Sequence, residues 1–573
     1  MTTLKSCHLL LLLSLLLLAF VPSSANDAHG HQRVLNSTNS TNNTQNFITV
    51  HLVAHTHNDA GWIATADSYF NGNWRGCVKC IIDAVVAGLQ KNPARKFVYV
   101  EQYFFQKWWN LQNEEKKNIV RNLVKNGQLE FLNGGWVMND EGCTYYDDII
   151  EQMTLGHRYI KSQFNQTVNA GWHIDPFGHS APQARLFSEM GFDSWFFERI
   201  DSDDFENRKK TGDLEFIWRP EGYNKNKNFL LAHANFMKYY LAPFGYCITV
   251  FCAGGDHGTA QRYADWIKGQ VAYYPKTKHI LHQIGGDFEW RSADYQFQQL
   301  ERLITFFDNN PQYGIKAQFS TPSLYAEAVY KETLAHNITL AEKTDDFFPY
   351  RDAPNAFWTG YFTSKPHLKK AIRDGSRYLQ SVKKLLSKLY FKGNLTFADI
   401  GNATTDFEAA LATLQHHDAA TGTAKKFVDD DYFKIMEQGY NSINAKLLPM
   451  LGNLFKEKHP QSQPRPFLLM TSNFSAIRLE QERQSQHVIA SVYNPSQIQT
   501  RVIRFPVPNS AGTLKADSTY INYDLICGND RDSRTCEVCF LDQIGTNQLK
   551  TYVWYHSGST DDTYASRIQT LSL

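Results

Sequence analysis

The stretch His55-Thr-His-Asn-Asp-Ala-Gly-Trp62 constrains this chain more than any other. It directly follows Phe47-Ile-Thr-Val-His-Leu-Val-Ala54, an apolar run with β-branched residues that reads as a buried strand. Two histidines and an aspartate therefore sit where a strand ends, and in a (β/α) barrel those ends carry the chemistry. Residues two apart share a face of a strand, so His57 and Asp59 can point the same way, as metal ligands must. Gly61 permits a tight turn and Trp62 offers a flat apolar wall. On this motif alone a polar turn with a capping Asp is the better explanation, and the downstream constellations change that balance.

Related constellations recur downstream. In Trp172-His-Ile-Asp-Pro-Phe-Gly-His179, Asp175 follows an apolar stretch and precedes Pro and Gly, although Asp-Pro also starts ordinary turns. In Ile284-Gly-Gly-Asp-Phe-Glu-Trp290, Asp287 follows a strand and two glycines, which allow close approach of backbone and ligand. Two aspartates at barrel strand ends are what glycoside hydrolysis asks for, one to attack the anomeric carbon and one to protonate the leaving oxygen. In Leu414-Gln-His-His-Asp-Ala-Ala-Thr-Gly-Thr423, His416, His417 and Asp418 form either a satisfied polar network or the completion of a mixed N/O site with His57, Asp59 and Asp175. Two histidines with carboxylates suit Zn²⁺ better than Mg²⁺ or Ca²⁺.

From residue 47 to about 340, predicted strands (Phe97-Val-Tyr-Val-Glu, Leu129-Glu-Phe-Leu, Ser194 to Arg199, Lys278 to Ile284) alternate with predicted helices (Glu114 to Gly127, Ala181 to Met190). This alternation points to βαβ units and a parallel sheet or barrel. Helical spacing then takes over across Lys369 to Leu389, Asp406 to Leu414 and Tyr432 to Leu448, which predicts a bundle of three helices. A Pro/Gln linker, Pro460 to Pro466, precedes alternating runs that read as β-strands.

A chain of 573 residues is too long for one core and predicts roughly two to four domains. The 58 basic and 57 acidic residues balance, so no nucleic-acid or membrane-surface partner is indicated. Lys5, the apolar run Leu9 to Val21 and the small residues Ser23 and Ala25 predict a secretory signal over 1–25; a type II membrane anchor is the alternative. The run is short for a membrane span, which takes about 20 residues. Residues 26–46, rich in Asn, Ser, Thr and His, read as a glycosylated disordered leader. Sequons at Asn36, Asn39, Asn42, Asn165, Asn337, Asn394, Asn402 and Asn473 agree with the secretory route. Apart from Cys7, an even number of cysteines favours disulfides: Cys247 with Cys252, Cys527 with Cys536 or Cys539, and Cys77 and Cys80 as part of a set.

The four motifs, in this order, together with the segment Asp345–Phe362, resemble the class II α-mannosidases, and that segment is similar to the lysosomal branch. The resemblance runs from about Ile48 to Tyr555. It implies a multidomain α/β plus α plus β architecture. A catalytic (β/α)7-type barrel would occupy 47–345, a three-helix bundle 346–458 and the start of a β-sandwich region 459–573. It implies one Zn²⁺ held by His57, Asp59, Asp175 and His417. Asp175 would also be the nucleophile and Asp287 the acid/base. Trp62, Phe177, Arg199, Asp418 and, more loosely, Tyr240 would hold the sugar, with His55 and His416 behind the ligands. The implied substrates are mannose-containing oligosaccharides, cleaved with retention, in a lysosomal or extracellular setting. A homo-oligomer stays an open expectation. The ending Ser566–Leu573 departs from the family's continuation and reads as a truncation or frameshift. Two other readings compete: a zinc-dependent carbohydrate deacetylase, whose metal would activate water, and a mannose-binding remnant without turnover.

Overall fold

The computed structural model describes residues 47–73, 76–220, 229–241, 257–458 and separate stretches between 468 and 572. The expected signal and leader (1–46), the Cys247–Cys252 pair, the linker and the sequons at Asn36, Asn39, Asn42 and Asn473 lie outside the described residues. Among the described residues no helix is long and apolar enough to cross a membrane. Asn165, Asn337, Asn394 and Asn402 are all exposed.

The strands up to residue 343 are β1 (Ile48–Ala54), β2 (Phe97–Tyr99), β3 (Leu129–Phe131), β4 (Ala170–His173), β5 (Ser194–Phe197), β6 (Glu215–Trp218), β7 (Leu230–Ala234), β8 (His279–Ile284), β9 (Ile315–Phe319) and β10 (Ala341–Lys343). β1 runs parallel between β8 and β9, with Ala54 opposite Ile284 and Leu52 opposite Phe319. β2 and β3 are parallel, and a bridge from His55 to Val98 joins the end of β1 to β2. The Asn133 amide, just past β3, donates to the Ala170 carbonyl of β4 at 2.9 Å, and β4, β5 and β7 follow in parallel. Helices cover these strands as crossovers; Val78–Gln90, for instance, buries Ile81, Ile82, Val85, Val86 and Leu89 at helical spacing. One departure from simple alternation is β6, which pairs antiparallel with β7, Trp218 opposite Leu230.

The helices Pro366–Phe391, Phe397–Thr413 and Lys426–Lys458 share a core of their own, in which Leu379, Val382 and Leu386 meet Phe407, Leu411, Tyr432 and Met436. A capping box between Thr396 and Asp399 fixes where the second begins. Antiparallel strands follow, among them His487–Asn494 against Gln548–His556 and Gln499–Pro508 against Thr535–Ile544.

The cysteines correct the expectation in two places. Cys77 and Cys80 bond to each other, their Cα atoms 5.2 Å apart at the start of a helix, so neither pairs elsewhere. Cys143 and Cys539 are free thiols. The Cys143 sulfur lies 3.6 Å from the Tyr361 carbonyl oxygen, and the strand register sets Cys539 opposite Arg504 and Asp524, so among the described residues no cysteine is paired with either. Register places Cys527 opposite Cys536.

Candidate active site

The end of β1 delivers His57 and Asp59 into the interior, both almost fully buried. The ladder with β8 carries on past the strands: the His55 amide donates to the Ile284 carbonyl at 3.1 Å and the His57 amide to the Gly286 carbonyl at 3.0 Å. Gly285 is required there, because a Cβ would stand 1.9 Å from the His55 carbonyl oxygen. This close seam brings Asp287 to the same end as His57. β4 delivers Asp175 in the same way. His417 arrives from the helical region, just past helix Phe397–Thr413; its Nδ1 donates to the Met138 carbonyl at 2.9 Å, which leaves Nε2 facing the cluster.

His57, Asp59, Asp175 and His417 converge. His57 Nε2 is 2.9 Å from Asp59 Oδ1 and 3.4 Å from Asp175 Oδ2; His417 Nε2 is 3.3 Å and 3.1 Å from the same two oxygens. One atom from each of the four lies within 4.8 Å of the others. His57 Nε2 and Asp59 Oδ1 are buried without a hydrogen bond of acceptable geometry. Two imidazole nitrogens and two carboxylate oxygens brought together, with His57 Nε2 and Asp59 Oδ1 left unpaired, fit a divalent metal ion.

The electrostatics agree. Burial alone would push His57 and His417 down, but the carboxylates of Asp59 and Asp175 outweigh it, holding His57 well above its ordinary range and bringing His417 to about 10. A metal ion would replace protons that the carboxylates otherwise retain. Burial would likewise raise Asp175; the Arg199 guanidinium and the two imidazoles overcome it and keep the carboxyl well below its usual range. Arg199 Nε donates to Asp175 Oδ1 at 2.9 Å, and its guanidinium lies 5.1 Å from the Trp358 ring, 5.3 Å from Tyr239 and 5.5 Å from Phe177.

Asp287 has the opposite character. Burial, the largest influence, lifts it to about 6, while the charge of His57 pulls downward and Asp59 pushes further up. Its Oδ1 accepts from the Tyr240 hydroxyl at 2.7 Å. One carboxylate is thus held ionised and a second is poised to carry a proton at mildly acid pH, the division of labour seen in two-carboxylate catalysis.

The remaining anticipated residues fall around this centre. Asp418 accepts from the Thr423 hydroxyl, and its Oδ2 lies 3.6 Å from His416 Nε2. His416 Nε2 is 3.0 Å from the Gly61 carbonyl and 3.8 Å from Asp59 Oδ1; it is not among His57, Asp59, Asp175 and His417, but with Asp59, His417 and Asp418 it makes a second, overlapping group of four possible ligands. His55, fully buried, is driven to about 3 by burial and then by the charge of His57, and is neutral. Trp62 is half-buried, its carbonyl accepting from the Lys425 amide at 2.9 Å. Phe177 packs 5.0 Å from Trp358.

Two buried acids were not anticipated. Glu141 Oε1 lies 2.6 Å from His173 Nδ1 and 2.8 Å from His179 Nδ1, clamping both ends of the turn that carries Asp175. Glu101 lies just past the end of β2, at the N-cap of helix Gln102–Trp109, 3.8 Å from His57 Nδ1. The sequence signal was the one used elsewhere, an acid just past a strand, as in Phe97-Val-Tyr-Val-Glu101.

Residues 47–353 match the glycosyl hydrolases family 38 N-terminal domain, and residues 356–453 match the alpha mannosidase middle domain. The chain is 37% identical over 519 residues to a probable alpha-mannosidase of Arabidopsis thaliana, covering 85% of this chain and 48% of that protein. It is 37% identical over 489 residues to the lysosomal alpha-mannosidase of Cavia porcellus (82% of this chain, 47% of that protein). Against the lysosomal alpha-mannosidase of Homo sapiens the identity is 35% over 493 residues, covering 82% and 47%. The chain therefore spans about half the length of these relatives. In fold it resembles the crystal structure of an alpha-mannosidase from Enterococcus faecalis, with TM-score 0.60 at 12% identity, covering 89% of this chain and 56% of that one. With the family 38 domain matched over more than half of its residues, this chain belongs to glycosyl hydrolase family 38.

Proposed function

We propose that the chain is the catalytic part of a zinc-dependent, retaining α-mannosidase that removes terminal α-D-mannose from N-glycans and related oligosaccharides. One observation carries the reading: Asp175 is shared between a four-residue metal cluster and Arg199, while Asp287 sits apart from it on Tyr240 with a raised proton affinity. The names of the relatives support it, and the lysosomal ones favour an acidic, secretory-pathway destination. In this reading residues 47–345 form the catalytic (β/α)7-type barrel, 346–458 a three-helix bundle that lends His417, and 459–573 part of a β-sandwich.

His57, Asp59, Asp175 and His417 would hold the zinc, which would supply Lewis-acid binding of mannose hydroxyls. Asp175 attacks the anomeric carbon as Asp287 gives its proton to the glycosidic oxygen, so the C–O bond breaks and the aglycone leaves neutral. Asp287, now a carboxylate, takes a proton from water, whose oxygen displaces Asp175 and releases mannose with its configuration retained. Trp62, Phe177, Arg199, Tyr240 and Asp418 would position the sugar. NMR of the first-formed sugar tests this: α-mannose is expected, whereas β-mannose, or release of acetate from an acetylated sugar, contradicts it.

Two expected results follow. His417→Ala should lower zinc content in metal analysis of the purified chain, since His417 supplies the ligand from the helical region; undiminished content counts against the ligand set. The pH profile should fall as pH rises through about 6, because Asp287 must enter the cycle protonated and its raised value sets that limb. The same shift makes a stability contribution present at acid pH and lost above about 6. A rate flat from pH 4.5 to about 7.5 would assign the proton to another group.

A further inference from the structure

The structure assigns Glu101 as the positioning residue for His57: its carboxylate accepts a hydrogen bond from the Nδ1–H of that imidazole and so presents Nε2 to a bound metal. This rests on the metal reading above. His57 Nδ1 is buried and has no hydrogen-bond partner, and neither do Glu101 Oε1 and Oε2, also buried. The facing atoms, His57 Nδ1 and Glu101 Oε1, are 3.8 Å apart, beyond hydrogen-bond distance but with no other partner for either. Both side chains are buried, so neither polar group reaches bulk water.

The position of Glu101 sharpens the case. It is the N-cap residue of helix Gln102–Trp109, where an acidic side chain ordinarily accepts from the first-turn amides, yet it makes no such bond. A buried carboxylate left off its own helix end is costly unless something else uses its charge. His417, the other imidazole of the cluster, has its Nδ1 fixed on the Met138 carbonyl at 2.9 Å. Glu101 gives His57 the equivalent restraint, with a charge added. Such partners fix the ring orientation and tautomer of a ligating histidine and raise its basicity.

The test uses the full chain, with zinc affinity measured by competition against a chromogenic chelator. Glu101→Ala should bind zinc about 10- to 100-fold more weakly. Glu101→Gln, nearly isosteric and still able to accept from Nδ1, should recover part of that loss. Cobalt-substituted protein gives a second readout: its visible d–d bands should shift in both variants, because the His57 donor changes. Melting of the chelated proteins checks that each is folded, and Glu101→Gln carries the test if Glu101→Ala does not fold. Wild-type affinity and unchanged cobalt spectra in folded variants would overturn the assignment alone. Failure of the wild type to bind zinc would overturn the metal reading, and this inference with it.

Discussion

Asp175→Asn is expected to cut α-mannoside turnover by a thousandfold or more, roughly the scale at which removing a covalent nucleophile acts. Asn is nearly the same shape, and its amide oxygen can still accept from Arg199 Nε, now 2.9 Å from Oδ1. What goes is the negative charge. Arg199 loses its ionic partner, His57 and His417 lose one of the two carboxylates that face them, and no oxygen remains to form the glycosyl ester. Kinetics at saturating substrate, with metal analysis and a melting curve on the same preparation, separate these effects. A folded variant with substantial turnover would remove Asp175 from the chemistry.

Asp287→Asn should also be severe, by about a hundred- to ten-thousandfold on substrates whose leaving group needs a proton. The loss should depend on the leaving group. An aryl mannoside with an acidic phenol does not need the proton, so the first step should survive and the intermediate on Asp175 accumulate. A small anion such as azide, which attacks without a general base, should then restore turnover and give a mannosyl azide of retained configuration. The Tyr240 hydroxyl can still donate to the Asn oxygen, so local geometry should hold. The alkaline limb near pH 6 should disappear with the carboxyl that titrates there. Equal losses for good and poor leaving groups, without azide rescue, would show that Asp287 is not the acid.

Much of this was legible because the chemistry sits where strand patterns stop. The apolar run before His55 becomes β1, and the residues just past β1, β4 and β8 are the ones that converge. His417 meets Asp175 across 242 residues of chain, a contact that no local pattern reports; the family resemblance supplied it. Glu101 looks like an ordinary acid after a strand, and Glu141 lies in the loop well past β3 where no strand end marks it; burial and partners alone single them out. β6 and β7 were missed because short strands in an antiparallel pair lack the helix that marks a parallel crossover. The Cys77–Cys80 bond is set by the backbone at a helix start, whereas an even cysteine count suggests only that pairs form. The same count gave no sign that Cys143 and Cys539 stay free.

A metal held by His57, Asp59, Asp175 and His417 is expected to enable cleavage of α-mannosides. This is tested most directly by release of the chromophore from an aryl α-mannoside by the purified chain: as isolated with zinc, after chelation, and after zinc is restored. Hydrolysis that disappears on chelation and returns with zinc is the predicted result. A folded, zinc-loaded chain that releases no chromophore, or hydrolysis indifferent to the chelator, would contradict it.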